Sequence, residues 1–410
     1  MRVTYLNPVG TIGGAERVLL AALRALPAAL PGYAPTVLLL ADGPLRAAAE
    51  ALGARVVVVE LPAALAGLGD TQLRGGRARA VVNFTHTALE AAPGLVTFPR
   101  RLRTAVAATR PQLLHTNGIK AHLLAALAEP RGVPVLWHVH DLLGERPLVG
   151  QLLRFARERA HGIVAVSDAV ARDATAVLPT VRVETVRNGL DTDHFSPGPG
   201  VDLDALAGLP AVPLGVLRVG LVATYANWKG HGVFLEALAR VPGVRGYVVG
   251  GPVSTTAGSQ VGRGELVARA AALGVRVGFV PFQAEPRGVY CALDVVVHAS
   301  VRPEPFGLTI AEGMSCGRAV VVSAAGGAAE LFTEGHDALG HPPGDAAGLA
   351  AAIRRLAADG ALRARLGAAA RATAVGRFGL ARYGRELAAA YRTVAGRPGE
   401  SARTAAGGRA

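Results

Sequence analysis

Short runs of Val and Leu alternate along the chain with longer stretches whose apolar residues recur at helical spacing. A brief, unbroken apolar run is the pattern of a strand buried on both faces, and such strands belong to parallel sheets covered by helices. In the first half this pattern predicts strands over 3–6, 36–40, 55–59, 113–115, 135–138, 162–166 and 183–186. Helices are predicted over 15–26, 44–52, 98–109, 119–129, 148–160 and 168–177. A stretch rich in Pro, Gly and Asp, Asn188 to Pro213, then interrupts the alternation and reads as a linker. Beyond it the pattern restarts, with strands over 218–223, 246–249, 275–280, 295–298 and 319–323. The helices of this second run are predicted over 230–240, 261–273, 285–292, 308–315, 345–358 and 361–374.

Two such runs predict an α/β chain of two Rossmann-like, doubly wound parallel-sheet domains facing a central cleft, with ligands beyond the carboxyl ends of the strands. The expected division is 1–195, a linker over 196–214, 215–378, a helix over 379–395 returning to the first domain, and a disordered tail over 396–410. Tyr383, Leu387 and Tyr391 lie four residues apart and give that last helix an apolar face. The region 63–97 has weak periodicity and several glycines, and no regular structure is assigned to it.

Composition narrows the function classes. At 410 residues the chain exceeds one ordinary core. The net charge of +13 is shared by both halves rather than concentrated in a stripe, which argues against a nucleic-acid module. A small anionic ligand or a membrane surface accounts for the same excess. Two cysteines, Cys291 and Cys316, supply neither a disulfide framework nor a zinc ligand set, and their apolar neighbours suggest buried positions. The chain starts on a strand-like run, so no signal peptide is expected. No apolar stretch reaches the roughly 18 residues of a spanning helix. These features predict a cytoplasmic protein, with peripheral contact on the inner face of a membrane left open.

The segment 298–317, HASVRPEPFGLTIAEGMSCG, holds the most specific chemistry. It follows a predicted strand and opens a helix near Gly307, where backbone N–H groups and the helix dipole suit a diphosphate. Glu304 precedes this helix and Glu312 lies within it. Carboxylates beside a diphosphate would be repelled, so both are expected to face hydroxyls. Taken alone, Glu304 also reads as a helix N-terminal charge and Glu312 as a solvated helix residue. Lys229, one of only two lysines, sits at a predicted helix start, where its charge opposes the dipole unless a diphosphate nearby gives it a partner; it also reads as a solvated lysine. His138 and His140 end a strand on one face, and Asp141 follows. His298 reads as a structural strand residue, and Asn117-Gly118 stands at a strand end suited to ligand contact.

The spacing Glu304-x7-Glu312, flanked by PFGL and EGMSCG, resembles the E-x7-E motif of the family 4 retaining glycosyltransferases with the GT-B fold (glycosyl transferases group 1). Further matches run in order: Gly13-Gly14-Ala15-Glu16, Val166-Ser167, Asn188-Gly189-Leu190-Asp191 with Phe195, Lys229-Gly230, and Gly326-Gly327 with Glu330. The resemblance implies transfer of a sugar from a nucleotide-diphosphate sugar to an acceptor hydroxyl, with retention and without a metal or other cofactor. It assigns Glu304, Lys229 and His140 to catalysis. Donor contacts would come from Gly13, Gly14, Thr224, Lys229, Phe306, Gly307, Leu308 and Glu312, with Glu304 on the transferred sugar, Glu312 on the ribose and His140 on the donor sugar. Asn117 and His138 are the candidates on the acceptor side.

The donor is expected to be a UDP-sugar or a GDP-sugar. The acceptor is expected to be carbohydrate, lipid-linked or a small molecule, bound by the first domain, with 63–97 and the Arg100, Arg101 and Arg103 cluster as candidates; the cluster also reads as a solvated helix face or as a contact with an anionic lipid surface. Nucleic acid is not expected as a partner. One departure stands out: Thr224 occupies the position where such families carry an arginine five residues before the lysine, and Arg302 is the candidate substitute. Two alternatives stay open: a catalytically weak nucleotide-sugar-binding partner protein, and a GT-B epimerase or phosphorylase.

Overall fold

A computed structural model of the 410-residue chain describes residues 1–62, 97–128, 131–252 and 260–396. The expectations for 63–96 and for the tail over 397–410 lie outside the described residues. The chain divides into two compact units. Unit 1 comprises Met1–Gly189 and Leu380–Ala410; unit 2 is Leu190–Gly379.

Unit 1 is built on a seven-stranded sheet in the order β3-β2-β1-β4-β5-β6-β7. Its strands are β1 (Arg2–Asn7), β2 (Ala34–Leu39), β3 (Arg55–Val58), β4 (Leu113–Asn117), β5 (Val135–Val139), β6 (Gly162–Ala165) and β7 (Val183–Thr185). Every recorded pairing is parallel. Unit 2 repeats the plan with six strands in the order β10-β9-β8-β11-β12-β13. These are β8 (Leu217–Val222), β9 (Val244–Val249), β10 (Val277–Val280), β11 (Val295–His298), β12 (Ala319–Ser323) and β13 (Leu339–His341). All residues of β4, β5, β11 and β12 are buried, as expected for strands covered by helices on both sides.

In each unit the strand order reverses beside the first strand, at β1/β4 and at β8/β11. Chain leaving the carboxyl ends of two such neighbours diverges to opposite faces of the sheet, which opens a crevice where ligands bind. The residues singled out from the sequence fall on these ends. Asn7 closes β1 and Asn117 closes β4, while Ala223–Lys229 follow β8, His298 closes β11 and Ala299–Glu304 follow it.

The segment expected to be a linker carries a short helix, Leu203–Ala207, and belongs to unit 2. Asp202 caps it by accepting hydrogen bonds from the N–H groups of Asp204 and Ala205. Asp204 is 2% exposed and is held by the Tyr247 hydroxyl, at 2.7 Å, and by Arg245, at 3.2 Å. Pro and Gly density therefore marks an irregular path anchored by a buried carboxylate. The helix Leu380–Ala395 belongs to unit 1 and packs on helix Gly14–Ala29. Tyr383, Leu387 and Tyr391 are fully buried, and a methyl group at Gly384 would stand 2.8 Å from the carbonyl oxygen of Ala25. Such close helix approach needs a residue without a side chain.

Candidate active site

In unit 2 the loops after β8 and β11 meet. A Cβ added to Gly230 would lie 1.8 Å from the carbonyl oxygen of Ala299, and Gly230 has φ +73°, so only glycine lets the two loops touch here. The Val301 N–H also donates to the carbonyl of Trp228, at 2.8 Å. This junction brings Lys229 Nζ to 2.7 Å from Glu304 Oε2 across 75 positions of sequence. The Ser300 hydroxyl donates to the same Oε2 at 2.9 Å, and His298 Nε2 stands 3.3 Å from it. All three contacts fall on Oε2, and Oε1 takes none of them. Burial pushes the Glu304 carboxyl pKa up, but the Lys229 charge and the His298 and Lys229 hydrogen bonds outweigh it and hold the group well below the usual carboxylate range. Glu304 is therefore ionised at neutral pH and acts as an acceptor only.

The backbone fixes this carboxylate as firmly as its side-chain partners do. Glu304 N–H donates to the Ala325 carbonyl and its own carbonyl accepts from Gly327 N–H, at 3.2 and 2.7 Å. Gly326, at φ +65°, lies against Glu304, where a Cβ would come within 2.6 Å of the Glu304 carbonyl oxygen. The Gly326-Gly327 pair thus serves the seating of Glu304.

Gly307 caps helix Leu308–Ser315 with φ +104°, and a methyl there would stand 2.7 Å from Ile310 Cδ1. The first N–H groups of this helix, on half-buried Leu308 and Thr309, have no acceptor within the helix. Phe306 is 4% exposed and its ring packs edge-on against Phe378, so the side chain is core and any donor contact falls to its backbone. Glu312 is 5% exposed and accepts a 2.6 Å hydrogen bond from the Tyr290 hydroxyl, which excludes the solvated-helix reading. Thr224 is half-buried, and Arg302 is exposed on the loop that carries Glu304.

In unit 1 the reversal at β1/β4 carries a second set. Asn117 Nδ2 donates to Asn7 Oδ1 at 2.7 Å and to the Ala15 carbonyl at 3.3 Å. Its Oδ1 faces His140 Nε2 at 2.6 Å. With the amide nitrogen already donating, Oδ1 is the acceptor, so His140 carries its proton on Nε2 and presents Nδ1 as a lone pair. Burial pushes the His140 pKa down to about 3, which keeps the ring neutral. Nearby, Gly13 N–H donates to Glu16 Oε2 at 3.0 Å across the first turn of helix Gly14–Ala29. Gly10 and Gly43 press backbone to backbone, each leaving less than 2.6 Å for a Cβ.

Asn117 and His138, expected at the acceptor, are each 1% exposed and are used inside the protein. Asn117 orients His140. His138 Nδ1 meets His115 Nε2 at 3.2 Å, and His115 Nδ1 meets the Tyr391 hydroxyl at 2.7 Å. Tyr391 continues the chain to Tyr5, at 3.1 Å, and Tyr5 to Tyr33, at 2.6 Å. His138 lies one strand repeat deeper than His140, so alternation puts both on one face but only the outer ring reaches the strand end. Sequence reasoning missed His298 and Ser300 as partners of Glu304, and its one available signal was their place at the end of β11. Among the described residues no three His, Cys, Asp or Glu side chains group as a metal-ligand set.

Comparison with known proteins bears on the same residues. The sequence model of "Glycosyltransferase Family 4" matches residues 12–194, and that of "Glycosyl transferases group 1" matches 215–359. The chain is 36% identical over 197 residues to a D-inositol 3-phosphate glycosyltransferase of Mycolicibacterium vanbaalenii, a match covering 45% of this chain and 42% of that protein. A protein of the same name from Mycobacteroides abscessus is 33% identical over 228 residues, covering 52% and 46% of the two chains. The match thus spans less than half the length of these curated relatives.

Among solved structures, Anabaena Alr3699/HepE in complex with UDP-glucose aligns with a TM-score of 0.73 and 28% identity over 96% of this chain and 100% of that one. Sucrose-phosphate synthase of Thermosynechococcus elongatus aligns at a TM-score of 0.75 and 20% identity, over 96% and 98%, and shares the fold. With one family model on each unit and the Glu304–Lys229 pair inside the second match, the chain belongs to the group 1, family 4 glycosyltransferases of GT-B fold.

Proposed function

We propose that the protein transfers a sugar from a nucleotide-diphosphate sugar to an acceptor hydroxyl, with retention at the anomeric carbon and without a metal ion. The observation that carries this reading is the Lys229–Glu304 pair at the carboxyl ends of β8 and β11. Lys229 Nζ has three N–H donors and spends one on Glu304, so the others are free to meet diphosphate oxygens. Glu304, locked through Oε2, offers Oε1 to a sugar hydroxyl. The free N–H groups of Leu308 and Thr309 add positive dipole where the leaving diphosphate gathers charge.

As the bond from the anomeric carbon to the diphosphate oxygen breaks, the acceptor oxygen bonds the same carbon and the acceptor proton leaves with the diphosphate. Preorganised charge on the leaving group is the largest expected contribution to rate, and positioning supplies much of the remainder. In unit 1, neutral His140 accepts a hydroxyl of the donor sugar at Nδ1, the role the family resemblance gives it. Glu312, seated by Tyr290, takes the ribose.

A UDP-sugar is favoured over a GDP-sugar because HepE, 28% identical over nearly the whole chain, was crystallised with UDP-glucose. The acceptor is carbohydrate, lipid-linked or a small polyol. Lys229→Ala and Glu304→Ala are each expected to lower turnover at least about 100-fold, the scale of lost electrostatic groups. Steady-state transfer assays with the donor chosen by thermal shift across a nucleotide-sugar panel check this; near wild-type turnover in both variants defeats the site.

A further inference from the structure

Helix Pro147–Ala156 of unit 1 buries Val149, Gly150 and Leu153 against the protein. At 100° per residue those positions centre on one side, and Leu148, Leu152 and Phe155 fall together on the other. They are 49%, 48% and 87% exposed. The outward face is completed by Gln151, so this helix is apolar both inward and outward, a pattern seen where a surface helix meets a second apolar phase. The neighbouring helix Ile119–Ala128 packs against it and leaves Leu127 53% exposed.

Charge around this apolar surface is mixed at the start of the helix, where exposed Glu145 stands beside half-buried Arg146, and mainly basic elsewhere. Arg154 and Arg159 are exposed at the end of the helix, with Arg157 half-buried between them and Glu158 as the one acid there. On the Leu127 side, Arg103 Nε donates to the Ala128 carbonyl, which fixes the helix over 97–108 beside it. Arg100 and Arg101 on that helix, and Arg131, are exposed.

We infer that unit 1 docks on an anionic phospholipid bilayer through Leu148, Leu152 and Phe155, with the arginines around them meeting the headgroups. Aromatic and Leu side chains on one helix face enter the headgroup–acyl boundary, and basic residues at its edge add attraction to anionic lipid. The charge complementarity decides the occupant, because a second copy of this chain would bring the same arginines against themselves. Leu148, Leu152 and Phe155 lie outside the residues assigned to transfer, and the inference holds whichever sugar the protein carries.

Sedimentation of the full chain with vesicles tests it. The protein is expected to bind vesicles of phosphatidylcholine mixed with phosphatidylglycerol and to leave those of phosphatidylcholine alone largely unbound. Raising the salt should release it several-fold, since charge contributes. Leu152→Asp combined with Phe155→Asp should lower the bound fraction at least about tenfold. Leu214→Asp, at a more exposed apolar residue of unit 2, should not. Phe155→Trp gives a readout without disrupting the face, and its emission should shift to the blue on adding the mixed vesicles. Absence of binding to mixed vesicles, equal binding by the double variant, or an unshifted Phe155→Trp spectrum overturns the proposal. So does a dimer that the double variant dissociates while vesicles capture nothing.

Discussion

Asn117 shows how much of a site is made of residues that never touch a substrate. Its amide fixes both the orientation and the tautomer of His140, and Asn7 fixes the amide in turn. Asn117→Ala removes the acceptor opposite Nε2 and frees the ring to rotate. Turnover is expected to fall at least about tenfold, since positioning within a fraction of an ångström governs such groups. Steady-state kinetics of the variant check this, and unchanged turnover would detach His140 from the reaction.

Family resemblance, not periodicity, singled out His140, Glu304 and Lys229 in the sequence, and the fold brings Lys229 and Glu304 into contact. The sequence did not reveal that Ser300 and His298 share Glu304. Those contacts depend on how the β11 loop folds back on itself, which spacing alone does not specify. Nor did it separate Asn117 and His138, both at strand ends, from groups that meet solvent. Burial depends on what packs above them, and that includes Tyr391 from the far end of the chain.

At the scale of elements, strands such as β11 and β12 were legible to the residue because unbroken Val runs fit little else. β13, three residues reading Leu-Gly-His, has too little pattern to be found and exists through its pairing with β12. The helix Leu203–Ala207 was hidden in a Pro- and Gly-rich stretch for the same reason: five residues carry no period. Loops, too, are elements here. Gly230 holds two of them in register, and Gly230→Ala must both force φ +73° on a residue with a Cβ and push apart the Ala299 carbonyl. Unit 2 is expected to lose at least about 2 kcal/mol, combining left-handed strain with a backbone clash. Denaturant unfolding would register the loss, and donor binding should weaken with it as Lys229 leaves Glu304. A fully stable variant would show that the loops can part without cost.

At the scale of the whole molecule, unit 1 buries an unusual set of neutral imidazoles. Burial pushes His115 and His140 down to about 3 and holds His122 and His138 well below the ordinary histidine value. The unfolded chain takes up these protons as pH drops below about 6.5, and the folded chain does not. The stabilisation is therefore complete above about pH 6.5 and is lost as pH falls toward about 3, by ~1.4 kcal/mol per pH unit for each such histidine. Thermal unfolding at pH 7 and pH 5 should show a clear loss of melting temperature at the lower value. Hydrogen exchange should place the loss at β4 and β5. Glu304 does not act in this window, because its depressed carboxyl contributes above about pH 4.5 and is lost only in stronger acid. A melting temperature unchanged between the two pH values would contradict the neutral burial of these rings.

Unit 1 is assembled from both ends of the chain, with unit 2 inserted after Gly189 and closed at Gly379. During synthesis, then, the domain begun first is finished last. Its β4–β5 histidines and Tyr5 wait for Tyr391, while all of Leu190–Gly379 has already left the ribosome and can close its own sheet. Chains truncated after Gly379 and released would hold a complete second domain beside an unfinished first one, whose uncovered helix Gly14–Ala29 is the natural target of a chaperone.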